Sequence, residues 1–279
     1  MSNESPQGKP WGITGVERYI PPSKGATPPQ GVGVFFSTNK EVPEIAIIIA
    51  GGEGTRLRPI TYDTPKPLVP ILGKPLVEYT IDEIYRNGIR EAILAIGYKA
   101  EKIERYFEKT KGSTNVKLNY SVEREKLGTG GAIKLAMSIA DGHKDLAVIN
   151  GDNLFRLDFA AMYKRHLANK ALVTIAIIRV DNVKGSGVVV LDGERVTQFV
   201  EKPDPDKAPS HFISCGIYII SSRIAKAFPD ADAFSFEKDV LEKLAAKGQI
   251  YAYPAEVFYT VNDHEQYRKA EEALKQHKV

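Results

Sequence analysis

Residues 45–56 read Ile45-Ala46-Ile47-Ile48-Ile49-Ala50-Gly51-Gly52-Glu53-Gly54-Thr55-Arg56. The apolar run has no polar break, the mark of a strand buried on both faces of a parallel sheet. Glycines directly after such a strand let backbone N–H groups approach an anion, because no Cβ stands in the way. The stretch therefore predicts a phosphate-binding turn at the carboxyl end of a strand. It is not the dinucleotide fingerprint, whose third glycine would fall on Leu57, and no Gly-Lys-Ser/Thr follows to make a P-loop. Arg56 within the turn and Lys66 between Pro65 and Pro67 add a fork-shaped guanidinium and a point-like ammonium, a pair suited to a triphosphate.

Outward from this turn, β-branched runs alternate with amphipathic segments. The pattern predicts strands at 45–50, 91–96, 116–122 and 145–150, and helices at 76–87, 99–109, 129–140 and 158–167. Strands separated by helices argue for βαβ units, an α/β fold with a mainly parallel mixed sheet covered on both faces. Later runs at 173–180, 187–191, 195–201 and 212–220 predict an additional small β region, inserted or appended. Helices at 235–247 and 263–277 are expected to close the domain. Residues 1–43 differ from the rest, with thirteen prolines and glycines, and are read as an extension in which Trp11, Tyr19 and the stretch 31–36 are the candidate anchors. The domain proper is expected over 44–279.

Composition narrows the function classes. A chain with 43% apolar and 26% charged residues is neither disordered nor fibrous, and one cysteine, Cys215, forms no internal disulfide. Cys215 lies in an apolar run and reads as a small buried hydrophobe. The net charge of +3 is too slight for a nucleic-acid coat protein. No apolar run approaches the roughly 18 residues of a membrane span. The expectation is a cytoplasmic protein with no nucleic-acid or membrane partner.

With Thr64-Pro65-Lys66-Pro67, Leu127-Gly128-Thr129-Gly130-Gly131, Gly151-Asp152-Asn153, Glu201-Lys202-Pro203 and Gly216-Ile217-Tyr218, the chain resembles the sugar-1-phosphate nucleotidyltransferases over about residues 44–270. That resemblance implies a Rossmann-like α/β/α sandwich. It also implies attack of a sugar 1-phosphate on the α-phosphorus of a nucleoside triphosphate, with release of pyrophosphate. Ala50, Gly51, Gly52, Gly54, Thr55, Arg56, Glu123, Gly128 and Thr129 would then line the nucleotide, and Arg56, Lys66 and Asp152 would serve the chemistry. Gly187, Glu201, Lys202 and Ser214 would hold the sugar 1-phosphate, Lys202 at its phosphate and Glu201 accepting from sugar hydroxyls. Mg²⁺ is the implied cofactor, with Asp152 at the end of an apolar strand as one ligand. Where many members carry a second aspartate this chain has Thr260, so Asn262 is nominated as the other ligand and Asp263 as its fallback, with a helix N-cap an equal reading for Asp263.

A carboxylate offers only acceptors, so Glu123 suits the N–H donors of guanine better than the mixed edge of uracil. That favours GTP, and the Glu-rich and Leu-Gly-Thr segments resemble those of mannose-1-phosphate guanylyltransferases. The Gly130-Gly131 pair is similar to heptose-1-phosphate guanylyltransferases. GDP-mannose synthesis is the first reading. Transfer to glucose or heptose 1-phosphate, from another nucleotide if need be, is the alternative within the class. A regulatory subunit that binds nucleotide sugars is the alternative outside it: Ser214 and Thr260 keep it open, and the retained Arg56, Lys66, Asp152 and Lys202 argue against it. A homo-oligomer is allowed by this resemblance. His166, His211 and His264 show no metal-ligand spacing.

Overall fold

The computed structural model describes residues 41–110, 114–277 and 279. The candidate anchors at Trp11, Tyr19 and 31–36 lie outside the described residues. The first half carries β1 (Ile45–Ile49), β2 (Pro70–Ile71), β3 (Lys74–Pro75), β4 (Glu91–Ile96), β5 (Lys117–Val122), β6 (Asp145–Asn150) and β7 (Asn153–Arg156). The second carries β8 (Val173–Arg179), β9 (Gly187–Asp192), β10 (Arg195–Glu201), β11 (Phe212–Ser221), β12 (Ile250–Pro254) and β13 (Val257–Thr260). Six α-helices are interleaved: α1 (Leu76–Arg86), α2 (Ala100–Lys109), α3 (Gly128–Ile139), α4 (Phe159–Ala168), α5 (Glu242–Ala246) and α6 (His264–Lys275).

Nine strands form one sheet in the order β5-β4-β1-β6-β11-β8-β12-β10-β9. The first four are mutually parallel, as the βαβ pattern requires. β11 runs antiparallel to both β6 and β8 and so joins the halves. The late strands thus extend the main sheet, and the small separate β regions are the two-stranded pairs β2–β3 and β7–β13. The last part of the fold also differs from the simple helix expected over 235–247. Ser235 caps a π-helical turn, Phe236–Leu241, whose wider spacing precedes the short α5.

Alternation within β1 shows how the sheet is covered. Ile45 and Ile47 face one layer with Ala132, Ile133 and Ala136 of α3 and the Phe236–Ala245 segment. Ala46 and Ile48 face the other, with Val77, Ile81 and Ile84 of α1, Ile103 and Phe107 of α2, and Phe159 and Met162 of α4. Both layers are sealed: Ile47 and Ile48 are fully buried. A third cluster lies beyond the sheet, where Ala270 of α6 meets Leu57, Ile71, Leu76, Leu154 and Val261. It clamps the glycine-rich turn to the C-terminal helix. Cys215 is buried, and burial pushes its thiol well above the ordinary range, which leaves an inert apolar filler. Among the described residues no helix is long and apolar enough to cross a membrane.

Candidate active site

The turn after β1 is built around Gly54 and Leu57. Gly54 holds φ +63°, and a Cβ there would come within 2.9 Å of the Lys66 Cβ and 3.1 Å of the Thr61 Cγ2. Only glycine allows the turn to lie against the Pro65-Lys66-Pro67 segment in that conformation. The Thr61 hydroxyl donates to the Gly54 carbonyl at 2.8 Å, and the buried Leu57 anchors the far end. Between these anchors Arg56 is exposed and makes no hydrogen bond or ion pair among the described residues. It lines a cavity of about 260 Å³ together with Gly52, Thr55, Lys66 and Asp152. An unpaired guanidinium beside open backbone is suited to receiving phosphate oxygens.

Lys66 is placed differently. It is 8% exposed, and its Nζ donates to Asp152 Oδ2 at 2.6 Å and to Asn262 Oδ1 at 2.8 Å. Asp152 follows β6 in the turn leading to β7, while Asn262 follows β13, so pairing of β7 with β13 brings the two together. The Asn262 side chain is fixed by its own partner: Nδ2 donates to Thr260 Oγ1 at 2.6 Å, leaving Oδ1 turned toward Lys66. Thr260, standing where an aspartate was anticipated, therefore orients the asparagine. Asp263 caps α6 by accepting from the Gln266 N–H at 2.9 Å, so its carboxylate is already engaged.

Asp152 and Asn262 thus present two hard oxygen donors to one cation position, taken here by the ammonium. That donor set fits Mg²⁺, which uses one or two protein oxygens and completes its shell with phosphates and water. Among the described residues no group of three or more His, Cys, Asp or Glu side chains forms a fuller cage.

A second cavity of about 540 Å³ adjoins the first and shares Arg56, Thr129, Asn150, Asp152 and Asn262 with it. Gly187, Glu201, Lys202 and Ser214, all singled out from the sequence, line it together. Lys202 pairs with Glu201 at 2.7 Å, and its backbone sits at φ +49°. For a residue with a Cβ that conformation costs about 1 kcal/mol, strain of the kind that collects at functional sites. On β11 the register shifts between Ser214 and Tyr218, with Gly216 in the shifted stretch, so the strand bends where it borders the cavity. The Ser214 hydroxyl accepts from the Gly216 N–H at 3.1 Å and lies 3.3 Å from the Tyr218 phenol.

Not every candidate lines these cavities. Glu123 lies outside both, packed so closely on the turn that a Cβ at Gly51 would meet its Oε1 at 2.7 Å. Burial raises its carboxyl above the usual range, against a weak bond from the Leu127 N–H. Gly51 likewise serves this contact. Thr129 lines both cavities, but its hydroxyl is spent on Glu237 Oε2 and the Phe236 N–H. Tyr218 of the Gly216-Ile217-Tyr218 motif lines the second cavity as well, and so do Asn150 and Glu237, which the sequence reading missed. The one available signal was for Asn150, a polar residue ending an apolar strand just before Gly151-Asp152.

A nucleotidyl transferase family model matches residues 45–276. The chain is 36% identical over 230 residues to a D-glycero-α-D-manno-heptose 1-phosphate guanylyltransferase of Aneurinibacillus thermoaerophilus, covering 82% of this chain and 97% of that one. It is 34% identical to the mannose-1-phosphate guanylyltransferase catalytic subunit beta of Danio rerio, covering 77% of this chain but only 59% of that longer protein. Among solved structures, HddC from Yersinia pseudotuberculosis complexed with GMP-PN superposes with a TM-score of 0.71 at 34% identity, over 83% of this chain and 99% of HddC. A UDP-glucose pyrophosphorylase complexed with UDP-glucose shares the fold at a TM-score of 0.71 and 24% identity, over 84% of this chain and 99% of its own. The chain belongs to the nucleotidyl transferase family. Relatives at 30–36% identity are named sugar-1-phosphate guanylyltransferases, and the protein itself is a nucleotidyltransferase.

Proposed function

We propose that the protein transfers GMP from GTP to a manno-configured sugar 1-phosphate and releases pyrophosphate. The observation that carries this reading is the pair of adjoining cavities that share Arg56 and Asp152, which lets two anionic substrates meet at one cationic group. A sugar-phosphate oxygen attacks the α-phosphorus, the bond to the bridging oxygen breaks, and the β- and γ-phosphates leave as pyrophosphate. The chain's task is to hold two repelling anions in line and to meet charge where it develops. Arg56 supplies donors free of any partner among the described residues, Lys66 orders Asp152 and Asn262 from the cation position that the metal would take, Lys202 receives the sugar phosphate and Glu201 accepts from sugar hydroxyls. Bound Mg²⁺, held by Asp152 and Asn262, would draw charge from the phosphates. Glu123, packed on the turn outside both cavities, is the proposed reader of guanine for a base that extends past the first cavity.

Relatives named heptose 1-phosphate and mannose-1-phosphate guanylyltransferases match at similar identity, 36% and 34%, which supports a manno-configured acceptor and makes mannose 1-phosphate and D-glycero-α-D-manno-heptose 1-phosphate the two acceptors to compare. The test is pyrophosphate release over GTP, UTP and dTTP against heptose, mannose and glucose 1-phosphates, with Mg²⁺ and then with EDTA. Metal-dependent release with GTP and a manno-configured acceptor is expected. Release with UTP or dTTP alone would overturn the guanine assignment, and release undiminished by EDTA would overturn the metal. The cytoplasm, where nucleoside triphosphates are abundant, is the proposed location.

A further inference from the structure

The segment at 232–237 is joined to the first turn of α3. The Gly130 N–H donates to the Phe234 carbonyl at 2.9 Å, and the Phe234 N–H donates to the Leu127 carbonyl at 2.9 Å. A Cβ at Gly130 would sit 2.2 Å from the Phe234 ring, and one at Gly131 only 2.1 Å from the Asp232 carbonyl oxygen. This glycine pair therefore serves the close approach of a neighbouring segment. What the joint delivers to the second cavity is Glu237.

The two oxygens of Glu237 are unequal. Oε2 accepts from the Thr129 hydroxyl at 2.5 Å and from the Ser235 hydroxyl at 3.0 Å. Oε1 has no hydrogen-bond partner among the described residues, and it is not among the sealed, unsatisfied polar atoms, so it is open to solvent. Glu201, lining the same cavity, is offset by Lys202, whereas Glu237 has no ion-pair partner among the described residues. Both carboxylates bear on one phenol: burial raises Tyr218 well above its ordinary value, and the charges of Glu237 and Glu201 push it further. A free, acceptor-only oxygen repels a phosphate and suits a hydroxyl donor.

We infer that Glu237 is a specificity-determining residue whose Oε1 accepts a hydrogen bond from a hydroxyl of the sugar, while its Oε2, held by Thr129, ties that contact to the wall of the nucleotide cavity. The inference rests on the sugar-1-phosphate reading above.

The experiment compares the full-length wild type with Glu237→Gln, which keeps the shape and leaves an amide oxygen for Thr129. Steady-state pyrophosphate release is measured with the accepted sugar 1-phosphate and a set of its monodeoxy analogues. Glu237→Gln is expected to raise the KM for the sugar 1-phosphate about tenfold and to change the KM for GTP less than about twofold. One deoxy analogue is expected to be strongly disfavoured by the wild type and to lose most of that penalty in the variant, a readout that a purely structural role would not move. If every analogue carries the same penalty in both proteins, or both KM values shift together, the inference is overturned. If Glu237→Gln melts well below the wild type, Thr129→Ser, which keeps the hydroxyl, and Thr129→Val, which removes it, take over the comparison. The inference then requires sugar discrimination to weaken in Thr129→Val alone, and equal discrimination in the two overturns it. A wild type that releases pyrophosphate with no sugar 1-phosphate would overturn the functional reading and this inference with it. An active wild type with unchanged sugar discrimination in the variant would overturn the inference alone.

Discussion

Arg56 and Lys66 are both basic and both close to the phosphate turn, yet their surroundings assign them different work. Arg56 is exposed and unpaired among the described residues, so its guanidinium contributes little to folding. Arg56→Ala should leave the melting temperature within about 2 °C of wild type and lower kcat by roughly 10²–10³-fold, the usual loss for a donor that meets developing charge. A comparable fall in melting temperature would mean that Arg56 is structural. Lys66 is buried against Asp152 and Asn262. Lys66→Met should therefore cost both activity and stability, the latter by about 1–3 kcal/mol, because two oxygens lose their shared donor. Asp152→Asn, which keeps an acceptor for Lys66, should cut turnover by about 10²-fold or more while the melting curve barely moves. Full activity at saturating Mg²⁺ would remove Asp152 from the chemistry. The sequence disclosed the chemical type of each of these residues. It did not disclose which cation would be spent on protein oxygens, because that depends on β7 meeting β13 across about a hundred residues of chain.

Elements were legible in proportion to their length and periodicity. The long apolar strands and amphipathic helices fall within a residue or two of where the pattern put them. β7 and β13, four residues each, and β12, which ends in Pro254, carry too few alternations to stand out from loop. The join between α4 and the start of β6 was not visible either, since it is made by side chains distant in sequence. His166 of α4 lies between Asp145 at 3.4 Å and Thr174 at 2.9 Å, and the Tyr163 hydroxyl donates to Asp145 at 3.1 Å. Burial alone would raise the Asp145 carboxyl, but the hydrogen bond and charge of His166, the Tyr163 hydroxyl and the charge of Arg223 together hold it below the usual range. A lowered carboxyl pKa stabilises the fold fully above the unfolded value of about 3.9, and that contribution is lost as pH falls through the folded value. Asp145→Asn should therefore lower stability by about 1 kcal/mol at pH 7, with the difference from wild type shrinking below about pH 4. Denaturant melts at pH 7, 5 and 3 check this, and a difference that stays constant with pH would detach Asp145 from the acid response.

On the scale of the whole molecule, the strand-rich second half looked like a region of its own because its strands follow one another without intervening helices. Topology decides otherwise. β11 lies between β6 and β8, pairing with the parallel half through Ile217–Ser221 and with the later strands through 212–220. Its apolar residues feed both layers, Ile220 and Tyr218 into one and Ile217 and Ile219 into the other. The described residues fall in one compact unit, so neither half has a core that closes without the other. The two cavities meet at Asn150, the end of β6, and the second continues along Ser214, Gly216 and Tyr218 of β11, so both strands of this join border it. Unfolding of the unit is therefore expected to be cooperative, and native-state hydrogen exchange should show amides of β4 and β12 opening with the same free energy. Ile219→Ala, which opens a cavity in a fully buried position, should lower that shared value by about 2–5 kcal/mol at both strands. If β9, β10 and β12 opened at a distinctly lower free energy, or if only β6 responded to the substitution, the second half would be an independent folding unit, and the second cavity could be lost while the glycine-rich turn remained intact.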